Sequence, residues 1–254
     1  MNFLMHKYKA FIDSNLESRK VFILGCGRSG THWMGYILKK HRDVYVTIEK
    51  KGIFDKVTEM AIDPSRKKHL LKPLIMRYRL EHACVAPRFY VDKSHPNLWL
   101  AEDLAQFFPN ALFIGIQRDP YGTISSMLKH HGVRNWCQRW EEFPTPNSFL
   151  GITEFNIQTY RNLTLAGRCA LRWKSHFEKM NDLQKKLGER IYIVQYEQMM
   201  LDPTGGAEQL RKFLKLTSPI PKPDVNKDSQ NKWRDNLSVE NCTEIEKVTG
   251  IKPD

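Results

Sequence analysis

The stretch Phe22-Ile-Leu-Gly-Cys-Gly-Arg-Ser-Gly-Thr-His-Trp33 joins an apolar run to three glycines and then to a helical pattern. A strand, a glycine turn and a helix N-terminus in that order aim unpaired backbone N–H groups and a helix dipole at one spot, which suits an anion. Gly25 and Gly30 have the spacing of the nucleotide-hydrolase loop GxxxxGK[ST]. However, Thr31 stands at the lysine position and His32 where a magnesium-binding hydroxyl belongs. Arg28, inside the loop with Gly27, can grip phosphate or sulfate oxygens through two parallel hydrogen bonds. Ser29, Gly30 and Thr31 add N–H groups and hydroxyls. A second segment, Ile114-Gly-Ile-Gln-Arg-Asp-Pro-Tyr-Gly-Thr-Ile-Ser-Ser126, brings Arg118 out at the end of an apolar run, with Ser126 eight residues later on a following helix. Arg118 and Ser126 can thus converge on one phosphate. Alone, an Arg-Asp pair at a strand end is more often a structural salt bridge.

These residues need a frame that holds them at one edge. Short β-rich runs recur at Val21–Leu24, Val44–Ile48, Arg88–Val91, Leu112–Ile116 and Ile191–Val194. Helical patterns cover Thr31–Lys40, Leu98–Phe107, Gly122–His131, Leu165–Leu187 and Gly205–Leu214. The alternation predicts an α/β fold: a central parallel sheet, like that of the P-loop proteins, with helices on both faces. Ligands of such sheets bind beyond the carboxyl ends of the strands. We read residues 1–254 as one domain. Its segments Lys50–Pro87 and Asn135–Asn162, where Pro, Trp and charges mix, are helical insertions or lids over the cleft. Ser218–Lys232 is Pro-rich and polar and reads as a loop, and Ser238 can cap a final helix.

Composition narrows the classes. No window approaches ~20 apolar residues, so no membrane span is expected, and the N-terminal residues lack the apolar core of a signal peptide. Five scattered cysteines, without metal spacing, fit free thiols in a reducing compartment. The expected location is the cytoplasm, and no metal site is expected. The formal charge of +12 fits either a solvated basic surface or an electropositive cleft for an anion. A nucleic-acid binder would show basic runs interleaved with aromatics, and the densest basic cluster, Arg66-Lys67-Lys68, is short.

Together the two phosphate segments resemble the sulfotransferases that use 3′-phosphoadenosine 5′-phosphosulfate (PAPS). Gly27-Arg-Ser-Gly-Thr-His-Trp33 is similar to that family's 5′-phosphosulfate loop, and Arg118-Asp-Pro with Ser126 to its 3′-phosphate motif. Val91-Asp-Lys-Ser-His-Pro96 resembles the stretch in which cytosolic members place a lysine and a catalytic histidine two residues apart. Tyr196-Glu-Gln-Met with Asp202-Pro203 resembles the stretch whose tyrosine lies near the adenine, and Ser229–Leu237 resembles the basic loop that closes over the nucleotide. The matches run in family order over most of the chain. Two departures stand out: His32 replaces the usual Thr or Ser, and the C-terminal Arg-Lys-Gly is absent as such.

The resemblance implies a donor, PAPS, that needs no metal and leaves as adenosine 3′,5′-bisphosphate. It implies His95 as the base, Arg28 and Lys93 as cations balancing charge on the leaving group, and Arg118 and Ser126 on the 3′-phosphate. Trp33 and Tyr196 would pack on adenine, while Ser229, Asn231, Lys232 and Trp233 would belong to the closing loop. Some members use a carboxylate as base, which makes Glu49 the other candidate. The acceptor would be a hydroxyl or amine on a small molecule. Trp136 and Trp140, with nearby acids and Glu154 further on, would lie near its mouth. Aromatics beside carboxylates suit a cationic natural product, although ordinary lid packing is the plainer reading. Two alternatives remain: a P-loop kinase, disfavoured by the missing lysine, and a non-enzymatic polyanion binder.

Overall fold

The computed structural model describes residues 19–226 and 231–253. In chain order the elements are β1 (Lys20–Gly25), α1 (Thr31–Lys39), β2 (Val44–Ile48), α2 (Phe54–Ile62), α3 (Lys67–Val85), β3 (Phe89–Lys93), α4 (Ala101–Phe107), β4 (Leu112–Gln117) and α5 (Pro120–Lys129). They continue with α6 (His131–Gln138), α7 (Ile157–Asn162), α8 (Leu165–Leu187), β5 (Ile191–Gln195), α9 (Tyr196–Leu201), α10 (Pro203–Phe213), α11 (Lys232–Asn236) and α12 (Val239–Thr249). The five strands form one parallel sheet in the order β2-β3-β1-β4-β5.

Side chains alternate across each strand, and that alternation builds two cores. Phe22 and Leu24 of β1 join Phe113, Tyr90 and the buried faces of α2, α3, α4 and α8. Val21 and Ile23 turn to the other face, where they meet Val91, Ile114 and Ile116 with α1, α9 and α10. Both faces of the sheet are therefore covered, as an all-parallel sheet requires.

The sequence placed all five strands, and their ends differ in instructive ways. β3 runs two residues beyond Val91, because Asp92 pairs with β1 and β2 and is held inside by side-chain partners. Thr47 and Tyr78 donate their hydroxyls, and Asn97 its amide, to the Asp92 carboxylate at 2.9–3.1 Å. The expected helix Leu98–Phe107 is split into a short 3-10 turn at His95–Trp99 and α4. The helix expected over Gly122–His131 starts at Pro120, capped by Asp119, and ends at Lys129. His130 leaves the helical conformation and caps α6 through its ring nitrogen. Residues 50–87 hold α2 and α3; residues 135–162 hold the end of α6, a single turn at Trp140–Glu142 and α7. Ser238 caps α12 by accepting the N–H of Asn241, as read from the sequence. The segment after Ser218 lacks regular structure through residue 226, but Lys232 opens α11 rather than closing the loop.

Candidate active site

The residues singled out for chemistry sit at the carboxyl edge of the sheet. β1 ends at Gly25 and feeds the glycine loop; β2 ends at Ile48 and delivers Glu49. β3 ends at Lys93, β4 delivers Arg118, and β5 hands on to Tyr196. The loop is tightly specified. Arg28 adopts φ 79°, a left-handed conformation unusual for a non-glycine residue, and Gly30 adopts φ 97°. Ser29 closes the turn by donating its hydroxyl and its N–H to the Cys26 carbonyl, at 2.7 and 3.1 Å.

The two phosphate segments meet here. Arg28 Nε donates to Ser126 Oγ at 3.1 Å, and Arg118 Nη1 approaches the Arg28 carbonyl at 3.4 Å. Residues 98 positions apart are thus brought to one place. Burial pulls the Arg28 guanidinium below its usual value, partly offset by Glu49.

Beside them lies a second cluster. Glu49, at φ 46°, accepts hydrogen bonds from Lys93 Nζ and, at 3.3 Å, from His95 Nδ1. His32 Nε2 stands 3.6 Å from its other oxygen, and Lys93 Nζ donates to His32 Nδ1 at 2.8 Å. Burial alone would raise the Glu49 carboxyl, but the His95 hydrogen bond and the Lys93 charge outweigh it and hold the group at about 2. Burial lowers His95 to about 3 against the pull of Glu49, and lowers Lys93 to about 8. His95 is therefore neutral near pH 7. With Nδ1–H committed to an ionised carboxylate, the hydrogen-bond network leaves Nε2 as a bare acceptor. That atom is buried, has no hydrogen-bond partner, and lies where a Cβ on Gly27 would come within 3.0 Å.

A cavity of about 160 Å³ opens between Arg28 of the glycine loop and the Glu49 cluster; Arg118 and Ser126 do not line it. Gly27, Arg28, Thr31, His32, Glu49, Lys93 and His95 line it together with Phe54, His130, Val133 and Trp136. Phe54 and His130 were not singled out from the sequence. Phe54 opens a helix in the first insertion, and His130 lies where the expected helix broke, so neither carries a motif.

Other candidates lie elsewhere. Trp140 is buried against Tyr160 at 5.4 Å, and Glu154 is solvent-exposed beside Phe155; neither lines the cavity. Tyr196 is buried beneath the glycine loop, with Trp33 edge-on at 5.4 Å. Trp33 Nε1 donates to the Asp224 carbonyl at 2.8 Å, which draws the segment after Ser218 over α1. Asn231 and Trp233 line a separate cavity of about 230 Å³ with Asp119, Tyr121 and Glu197. Lys232 is exposed, and Ser229 lies outside the described residues. Among the described residues, no group of three or more His, Cys, Asp or Glu side chains could hold a metal ion, and no helix is long and apolar enough to cross a membrane.

A family model described as "Sulfotransferase family" matches residues 20–219, a span that contains both phosphate segments and the Glu49 cluster. The chain belongs to the sulfotransferase family. Among curated relatives, a protein-tyrosine sulfotransferase of Drosophila melanogaster is 26% identical over 217 residues, covering 79% of this chain and 38% of the relative. Protein-tyrosine sulfotransferase A of Caenorhabditis elegans is 23% identical over 219 residues, covering 80% and 51%. The chain therefore spans about half or less of these relatives' length. Among solved structures, the sulfotransferase domain of the curacin biosynthetic pathway superposes with TM-score 0.59 at 18% identity, covering 92% of this chain and 98% of that one. The sulfotransferase domain of the Synechococcus PCC 7002 olefin synthase gives 0.53 at 16% identity, covering 91% and 92%. These two share the sulfotransferase fold.

Proposed function

We propose that this chain transfers the sulfuryl group of PAPS to a hydroxyl or amine of a small-molecule acceptor. The observation that carries the reading is the 3.1 Å contact between Arg28 and Ser126, with Arg118 alongside, while Arg28 also shares a cavity with the Glu49–Lys93–His95 cluster. The glycine loop and Arg28 hold the 5′-phosphosulfate; Arg118 and Ser126 take the 3′-phosphate and so separate PAPS from ATP. The acceptor attacks sulfur, the bond from sulfur to the bridging oxygen breaks, and adenosine 3′,5′-bisphosphate leaves. His95 Nε2 accepts the acceptor's proton, and Glu49 fixes the imidazole and stabilises its charged form. Lys93 and Arg28 balance negative charge on the departing oxygen. Glu49 as the direct base is the second reading. It is favoured by the carboxylate being 26% exposed at the cavity while the His95 side chain is 7% exposed.

Phe54, Val133 and Trp136 give the acceptor end an apolar wall, which suits a compact, flat molecule. A tyrosine side chain of a protein is the alternative acceptor, supported by the names of the curated relatives. The cationic-acceptor idea loses its acids: Glu142 pairs with Arg139 at 2.5 Å, Glu141 lies 3.6 Å from Arg161, and Glu154 is away from the cavity. A cytoplasmic setting accords with the free cysteines.

The test is calorimetric titration with adenosine 3′,5′-bisphosphate, 5′-AMP and ATP–magnesium, followed by a sulfate-transfer assay over a panel of phenols, alcohols, amines and a tyrosine peptide. The expected result is tight binding of the bisphosphate alone, weakened at least tenfold in Arg118→Ala. Equal binding of all three nucleotides would sink the donor assignment.

A further inference from the structure

Tyr196 and Glu197 open α9 at the end of β5, between the two phosphate segments, and they touch both. The edge of the Tyr196 ring lies against Gly30, where a Cβ would come within 2.6 Å of Cδ2. The Arg118 guanidinium lies over the ring, 4.4 Å from its centroid, and Trp33 meets it edge-on at 5.4 Å. Only 7% of Tyr196 is exposed, so its faces are already spent on protein groups, and stacking on adenine falls to the partly exposed Trp33. Glu197 accepts the backbone N–H of Asp119 at 3.2 Å, which pins the turn that carries Arg118. Asp119 in turn accepts the Gly122 N–H at 2.7 Å and caps α5, the helix that presents Ser126 to Arg28.

We propose that the Tyr196–Glu197 pair is a clamp that sets selectivity for the 3′-phosphate. The Tyr196 ring holds the Arg118 side chain in its binding rotamer, and Glu197 fixes the Arg118–Asp119 backbone. The clamp thus acts on the 3′-phosphate grip, while the glycine loop keeps its own closure through Ser29 and the Cys26 carbonyl. An arginine has many rotamers to lose when it grips an anion, and a side chain already held over an aromatic face loses fewer. Gly30 is part of the device. Its φ of 97° and its contact with the ring leave no room for a side chain, so the ring can lie over Arg118 only because position 30 is glycine. Both residues are positioning residues, acting through Arg118, and the inference rests on the donor site proposed above.

The experiment measures two affinities per protein by calorimetry, for adenosine 3′,5′-bisphosphate and for 5′-AMP, in the wild type, Tyr196→Leu, Tyr196→Phe and Glu197→Ala. In Tyr196→Leu the bisphosphate is expected to weaken roughly tenfold, while 5′-AMP stays within about twofold, so the ratio between the ligands collapses. Tyr196→Phe keeps the ratio, because the ring face and not the hydroxyl does the holding. Glu197→Ala lowers the ratio in the same direction as Tyr196→Leu. Weakening of both ligands alike in Tyr196→Leu, or an unchanged ratio, would overturn the clamp. If Tyr196→Leu does not fold, as circular dichroism would show, Glu197→Ala at its partly exposed position decides alone: an unchanged ratio there overturns the clamp. A wild type without preference for the bisphosphate would overturn the donor site and the clamp together, whereas a wild-type preference retained in Tyr196→Leu and Glu197→Ala would overturn the clamp alone.

Discussion

His95 and Glu49 show what single residues disclose and what they hide. The Lys93–His95 pair was legible only through the resemblance of Val91–Pro96 to the family's lysine–histidine stretch. The hydrogen bond from His95 Nδ1 to Glu49 was not, because it joins residues 46 positions apart. His32, which looked like a defect in the loop motif, bridges Lys93 and Glu49. If His95 Nε2 takes the proton, His95→Gln lowers kcat by about 10²- to 10⁴-fold while bisphosphate affinity stays within a few-fold. Glu49→Gln then costs less, because it removes the charge that orients and stabilises the imidazolium but leaves the proton acceptor in place. The reverse order of losses, measured at saturating PAPS, would make Glu49 the base. The pH profile is constrained as well. His95, lowered to about 3, stays neutral down through pH 5, so its protonation does not depress kcat/KM on the acid side. Lys93, lowered to about 8, loses its charge as pH rises through that value, and kcat/KM falls there. A plateau in kcat/KM to pH 9.5 would remove Lys93 from the charge-balancing role.

Elements were more legible than side-chain networks because each leaves a periodic trace. The five strands were visible as apolar runs, α8 as a long helical pattern, and α12 through its serine cap, Ser238; the Thr164 cap of α8 was not read. What failed were ends fixed by tertiary partners. β3 was read as stopping at Val91, yet the charged Asp92 and Lys93 continue it and are fully buried. Asp92 stays inside because three donors face it, although burial still raises its carboxyl to about 6. A raised carboxyl means that the folded state holds its proton where the unfolded chain has lost it. Stability from this group is therefore complete at pH below about 4 and declines as pH rises through 6. The shift of about two units corresponds to on the order of 3 kcal/mol. Urea denaturation of wild type and Asp92→Asn across pH 4 to 8 measures it. The wild type should lose stability relative to the variant as pH rises through 6, and parallel curves would show that Asp92 is not what titrates.

At the scale of the whole molecule, the charge of +12 left open whether the basic surface binds a polymer or guides a small anion. The densest basic cluster, on the insertion before β3, is partly neutralised: Arg66 pairs with Glu59, and Lys67 with Asp103 at 2.7 Å. Arg28, Arg118 and Lys93, by contrast, converge from three separate strand ends on one edge of the sheet, a focus that no window of sequence could show. A cleft of one sign concentrates field lines and raises the capture rate of an oppositely charged ligand. The donor's phosphates and sulfate make it such a ligand. Stopped-flow binding of adenosine 3′,5′-bisphosphate should therefore slow roughly tenfold in association as salt rises from ~0.01 to ~0.15 M, because the screening length shrinks from ~30 to ~8 Å. Dissociation should change far less, since it is governed by short contacts inside the site. A polyanion binder makes a different prediction: sheared DNA would compete with the bisphosphate at ~0.15 M salt, in proportion to the phosphates it offers. Absence of competition together with a salt-sensitive association rate assigns the positive field to the cleft. A salt-insensitive rate would reduce the net charge to a solvated surface, and leave capture of the donor to the loop, Arg28 and Arg118 alone.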